Sequence, residues 1–237
     1  MENVKDLPLL DSQKEVWLAI KQNPNMNKAY NEAFELVFQG SFNLSKLISC
    51  IKYIINEHSV FSLVIDRNKP IQDLMELECD SQFIVDENID YNNWYKKSLS
   101  HSITVGDFPL YRFHFLVLEN KIYFIMLYHH ILLDGFSRRI FIEEIMRLYK
   151  NDVFPEYKTS NSKYIDYILA SNSPQDSAIL DFWKDEWSTV EISDQERHFS
   201  QQLESEAETL VFNINDQRKI KINNFCRINR ISKFIFY

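Results

Sequence analysis

The chain has 237 residues, 45% hydrophobic and 14% aromatic, with a formal net charge of −8, enough for one large domain or about two small ones around a buried core. The acidic balance excludes a general nucleic-acid binder, which carries a basic face, and neither a secretory signal nor an apolar run of about 18 residues marks a membrane partner. Three widely separated cysteines, Cys50, Cys79 and Cys226, predict reduced thiols in a cytoplasmic protein.

In chain order, residues 6–10 (DLPLL) predict an extended lead-in. Asp11 or Ser12 then caps a helix running to about Lys21, with Val16, Trp17 and Ile20 inward. Asn23–Lys28 is a polar loop. Ala33–Gln39 alternates and is rich in β-formers, which predicts a strand ended by Gly40. Over Leu44–Glu57, Leu44, Leu47, Ile48, Ile51, Ile54 and Ile55 recur at helical spacing. Ser59–Ile65 predicts a strand closed by a turn at Asp66–Lys69, Gln82–Val85 a short strand, and Tyr91–Ser100 a helix. Leu110–Leu118 and Ile122–Tyr128 are two patterned strands joined at Glu119-Asn120, a hairpin. Further helices are predicted over Phe136–Lys150, Ser162–Ser171, Pro174–Trp187 and Asp216–Arg230, with a polar linker over Ser188–Glu208 and a strand over Glu208–Ile214. Helices alternating with hairpins predict an α+β fold, a mixed and largely antiparallel sheet with helices packed on it.

The second hairpin strand runs into His129 and His130. Asp134 and Gly135, one of only three glycines in the chain, follow after three aliphatic residues. Successive strand side chains point to opposite faces, so one imidazole can face a cleft while its neighbour faces away. Three roles fit the pair. A neutral imidazole can act as general base for an amine or hydroxyl attacking a carbonyl. His129, His130 and Asp134 could ligate a metal, but adjacent strand histidines diverge and no H-E-x-x-H helix or cysteine set supports them. Both could also be structural histidines in a polar turn. By the same weighing, Trp17, Trp94, Trp183 and Trp187 are core or interface packing residues, His58 and His114 are satisfied structural histidines, and Glu204, Glu206 and Glu208 form a solvated run.

HHILLDG resembles the HHxxxDG signature of the condensation domains of nonribosomal peptide synthetases, which belong to a superfamily with the chloramphenicol acetyltransferase fold. Other stretches resemble that family in the right order. They are Leu7-Pro8-Leu9 with Ser12, Gln13 and Trp17, then Pro109, Leu110 and Arg112, then Tyr164, Asp166 and Tyr167, followed by Phe182–Lys184. The resemblance implies a chloramphenicol-acetyltransferase-like lobe in which His130 is the catalytic base or the orienter of an attacking α-amine. It implies that His129 is structural, that Asp134 holds the loop through an arginine ion pair, and that Gly135 lets the backbone pass close to the reacting groups. The implied reaction is amide formation between acyl and aminoacyl thioesters on the phosphopantetheine arms of carrier proteins. Adjacent synthetase domains are the other implied partners, and the chain itself is expected to hold no cofactor or metal.

The chain departs from the family pattern in two respects. Where the family has Arg-His-x-x-Leu-Arg, this chain has Glu57, His58, Ser59, Val60, Phe61 and Ser62, so Asp134 needs another partner, with Arg112 and Arg138 as candidates. The length is about half that of a complete condensation domain: residues 1–187 resemble the N-terminal lobe, and residues 188–237 the crossover and the start of the next lobe. Two readings stay open. The chain is the N-terminal lobe of an acyltransferase, inactive until a C-terminal lobe is supplied in cis or in trans, or it is a truncated, non-catalytic remnant that docks carrier proteins.

Overall fold

A computed structural model describes residues 4–76, 82–87, 89–151, 162–172, 177–188 and 213–236. Expectations on Cys79, on the linker, on the run at Glu204, Glu206 and Glu208, and on most of the strand at 208–214 lie outside the described residues. In chain order the elements are β1 (Val4–Pro8), α1 (Asp11–Gln22), α2 (Met26–Ala29), β2 (Asn31–Gln39), α3 (Leu44–Glu57), a 3-10 turn (Ser59–Ser62), β3 (Leu63–Ile65) and β4 (Ile71–Leu74). They continue with β5 (Phe83–Asp86), α4 (Tyr91–Leu99), β6 (Tyr111–Leu118), β7 (Lys121–His129), α5 (Gly135–Asn151), α6 (Ser162–Ser171), α7 (Ser177–Ser188), α8 (Asp216–Asn229) and α9 (Lys233–Phe236). The chain divides into two compact units, Met1–Gln175 and Asp176–Tyr237.

The first unit has the expected α+β architecture. Its larger sheet has the order β2-β7-β6-β5, antiparallel except where β5 runs parallel to β6. Its smaller sheet is antiparallel, in the order β1-β4-β3. β6 and β7 are buried on both faces, which is why they read as nearly continuous apolar runs. On one face Phe34, Phe113, Phe115, Phe124 and Phe141 pack with ring centroids from 5.0 to 6.4 Å apart. There α3 adds Leu47, Cys50, Ile51 and Ile54, all buried, and each aliphatic side chain contributes roughly 1.5–3 kcal/mol by leaving water. On the opposite face Trp94 of α4 closes over Leu116 and Ile125.

Short polar side chains start these helices as capping chemistry requires. Asn43 accepts the Lys46 N–H at 3.0 Å to begin α3, and Asp90 accepts the N–H groups of Asn92 and Asn93 at 3.0 and 3.1 Å to begin α4. The start of α1 differs from expectation. Leu10 is its N-cap, and Gln13 reaches back to accept the Leu10 N–H at 2.9 Å. Ser59–Ile65 is not one strand, because Ser59–Ser62 coil into a 3-10 turn that buries Phe61. The turn after β3 forms as expected, with Asp66 Oδ1 accepting the N–H groups of Asn68 and Lys69 at 2.6 and 2.8 Å, but it leads into β4, which the sequence reading lacks. Gly106 is conformationally demanded: its φ is +94° and a Cβ would strike the Arg67 side chain. That side chain bonds the Val105 carbonyl at 2.9 Å and Asp107 at 3.1 Å.

In the second unit α8 starts at Asn215, whose side chain accepts the Arg218 N–H at 2.9 Å, and ends at Arg230 in the left-handed region, φ 53°. Trp17 and Trp94 of the first unit are buried, whereas Trp183 and Trp187 of α7 are 53% and 64% exposed, so they are not core residues. Cys50 and Cys226 are buried and form no disulfide among the described residues.

Candidate functional site

Two backbone hydrogen bonds fix the end of β7. The His129 N–H donates to the Leu110 carbonyl at 3.0 Å and the His130 N–H to the Tyr30 carbonyl at 2.7 Å. The pleat then sends the two imidazoles apart. His129 is fully buried, and its Nδ1 accepts the Ile131 N–H at 3.1 Å. An accepting Nδ1 places the ring proton on Nε2, which has no hydrogen-bond partner among the described residues. Burial, and then the neighbouring His130, push the pKa of His129 down to about 4. The buried ring is neutral, and its Nδ1 ties the turn to the strand.

His130 faces the other way. Its side chain is 35% exposed, and its ring lies over that of Tyr30 at 6.4 Å and 24°. Nδ1 is 3.0 Å from the Leu133 carbonyl. A carbonyl only accepts, so Nδ1 carries the proton and Nε2 of the neutral ring keeps its lone pair. His130 lines a cavity of about 320 Å³ together with Gln13, Asp134, Ser137, Tyr164 and Tyr167.

Asp134 is exposed, and its Oδ1 accepts the Ser137 N–H at 2.7 Å, capping α5. The Ser137 N–H and hydroxyl hold its carboxyl below the usual carboxylate range. Neither Arg112 nor Arg138 forms an ion pair with it among the described residues. The expected arginine clamp is therefore a helix cap here, and a solvated carboxylate needs no buried cation. Gly135 has no positive φ, and a Cβ there would meet nothing within 4 Å. Neither crowding among the described residues nor backbone conformation asks for a glycine.

Several neighbours of the motif went unread in the sequence. Gln13 Nε2 lies 3.3 Å from Gln72 Oε1, 3.4 Å from the Tyr164 hydroxyl and 3.5 Å from the Ile131 carbonyl. The Tyr164 hydroxyl donates to Gln72 Oε1 at 3.3 Å, and Gln72 Nε2 donates to the Pro8 carbonyl at 2.9 Å. Burial pushes the Tyr164 pKa up to about 12, so the hydroxyl stays protonated. This network joins α1, β4 and α6 behind the motif turn. Gln13 and Tyr164 stood out by resemblance, but Gln72 on the missed strand did not. Glu32 of β2 was also missed: its Oε1 is 3.5 Å from His130 Nδ1, and its Oε2 accepts the Tyr128 hydroxyl at 2.5 Å. His114 is buried, as a structural histidine would be, but neither ring nitrogen has a partner among the described residues, and burial lowers its pKa to about 4. Among the described residues, no three His, Cys, Asp or Glu side chains converge to hold a metal ion, and no helix is long and apolar enough to cross a membrane.

The profile of the family described as "Condensation domain" matches residues 3–232. The chain is 25% identical over 186 residues to surfactin synthase subunit 2 of Bacillus subtilis (strain 168), covering 77% of this chain and 5% of that protein. It is 25% identical over 189 residues to gramicidin S synthase 2 of Brevibacillus brevis, covering 77% of this chain and 4% of that protein. Among solved structures it resembles the starter condensation domain of rhizomide synthetase RzmA, with a TM-score of 0.65 and 17% identity, over 81% of this chain and 49% of that one. It also resembles the condensation domain of the Monacolin K polyketide synthase MokA, with a TM-score of 0.71 and 13% identity, over 98% of this chain and 56% of that one. The chain thus spans about half the length of these solved chains.

Proposed function

This chain belongs to the condensation-domain family, and we propose that it supplies the histidine-bearing part of an amide-forming site in a nonribosomal peptide synthetase. The α-amine of an aminoacyl group on one carrier protein attacks the thioester of an acyl group on another. A C–N bond forms, the C–S bond breaks, and the amine's proton ends on the departing phosphopantetheine thiol. The observation that carries this reading is the state of His130. Its Nδ1 is committed to the Leu133 carbonyl at 3.0 Å, so Nε2 has the lone pair, and the residue lines a cavity. Such a nitrogen can take the amine's proton or orient the amine through it. Because the chain spans about half of the solved domains, the rest of the active site comes from a C-terminal lobe, in cis or in trans. The reaction is tested by measuring amide formation between two loaded carrier proteins in the presence of that lobe, with His130→Ala as the comparison. Loss of product supports the reading, and equal product from both proteins ends it.

A second reading, carrier docking without catalysis, is favoured by one observation. Glu57 and Ser62 stand where the family motif has arginines, and Asp134 caps a helix instead of pairing with a cation. Saturable binding of a loaded carrier protein, with no amide formed when the second lobe is present, would select it.

A further inference from the structure

β2 carries a carboxylate to the motif that no family motif named above accounts for. Its register with β7 sets Glu32 opposite Tyr128. The Tyr128 hydroxyl donates to Glu32 Oε2 at 2.5 Å, leaving Oε1 to face His130 Nδ1 at 3.5 Å. Burial, then the bond to Glu32, raise the Tyr128 pKa, so the hydroxyl remains a donor. The Nδ1 edge of His130 thus meets a carbonyl at 3.0 Å and a carboxylate slightly farther off. A ring with its proton on Nε2 would turn a lone pair toward both oxygens, so both disfavour that tautomer.

We propose that Glu32 is a positioning residue for His130. Aimed by the Tyr128 hydroxyl, its carboxylate holds the imidazole with Nδ1 protonated and Nε2 free for the reacting amine. The arrangement is a base oriented by an acid and steadied by a third group. The catalytic consequence rests on the function proposed above; the ring geometry does not. The other titratable or charged groups around the cluster are His129 of β7, Tyr30 against the His130 ring, Asp134 of the turn, Arg138 of α5, which acts on Tyr128, and Tyr164 and Tyr167 of α6 on the same cavity.

The test is the tautomer of His130, read by long-range proton–nitrogen correlation on the full-length chain at about pH 8, where histidine is ordinarily neutral. The unsubstituted chain is expected to show the Nδ1–H form. Glu32→Leu should raise the proportion of the Nε2–H form about two- to tenfold, the size expected on losing an ordinary, partly solvated hydrogen bond. Glu32→Gln, which keeps an oxygen in place, should restore most of the original ratio. Tyr128→Phe should shift the ratio in the same direction as Glu32→Leu, and it decides the matter if Glu32→Leu fails to fold. An unchanged ratio in the folded variants would mean that the Leu133 carbonyl alone sets the ring, and the proposal would be overturned. A tautomer shift in a protein that forms no amide even unsubstituted would leave the positioning role standing and remove the function. The reverse pattern would do the opposite.

Discussion

The floor of the motif, where His129 lies under the sheet, and its rim, where His130 borders a cavity, are one residue apart. At the floor the imidazole accepts a backbone N–H and is held neutral by burial. At the rim the imidazole donates to a backbone carbonyl and is partly wet. The same side chain thus has opposite hydrogen-bond polarity at adjacent positions, which follows from strand alternation. In this reading the floor holds shape and the rim does chemistry, and substitutions at the two should fail in different assays.

The largest effect belongs to the rim. His130→Ala should lower amide formation by about 10²–10⁴-fold, the range for a positioned acid–base group. It should move stability to urea by less than about 1 kcal/mol, as for a partly exposed site. A large loss of stability would break the contrast. Next comes the floor. His129→Ala removes a buried ring and leaves the Ile131 N–H unpaired, so chemical denaturation should show about 2–4 kcal/mol less stability.

Acid should act through the buried histidines. An unfolded histidine protonates near 6.5, while His129 and His114 resist until about 4. Between those values the unfolded chain binds more protons, so stability falls as pH drops through this window. Each histidine accounts for up to about 3 kcal/mol of that fall, and neither adds pH dependence to stability above about pH 7. Urea midpoints taken from neutral pH down to about 4.5 should decline, and a flat profile would contradict the assigned burial. The smaller effect is at Asp134. Replacing it with Ala should cost about 1 kcal/mol in thermal unfolding, the worth of a cap, whereas Asp134→Asn, which still accepts the Ser137 N–H, should cost little. A heavy penalty for Asn would instead reveal an ion pair.

Much of this contrast was legible in the residues. Helical spacing gave Leu44–Glu57 and Ser162–Ser171 with the bounds observed, and the β6–β7 hairpin was local and strongly patterned. What escaped depended on partners distant in sequence. β4 is the four residues IQDL, held as a strand only because β1 and β3 flank it, so no local propensity announced it. Gln72 is buried there against groups more than fifty residues away. Glu32 lies just ahead of the strand predicted over Ala33–Gln39 and carried no signal of its own. Only the pairing of β2 with β7 puts it beside Tyr128 and His130. Asp134 was assigned its role from the family pattern, although an Asp just ahead of the helix predicted from Phe136 already carries the signature of an N-cap.

The empty volume beside Gly135 offers a gauge one methyl group wide. Nothing among the described residues would touch an added Cβ, so Gly135→Ala should leave the melting temperature of the folded chain unchanged or slightly raised. If the same methyl blocks product formation, the obstruction comes from the second lobe or from whatever enters during turnover, and its size could be measured by lengthening that side chain carbon by carbon.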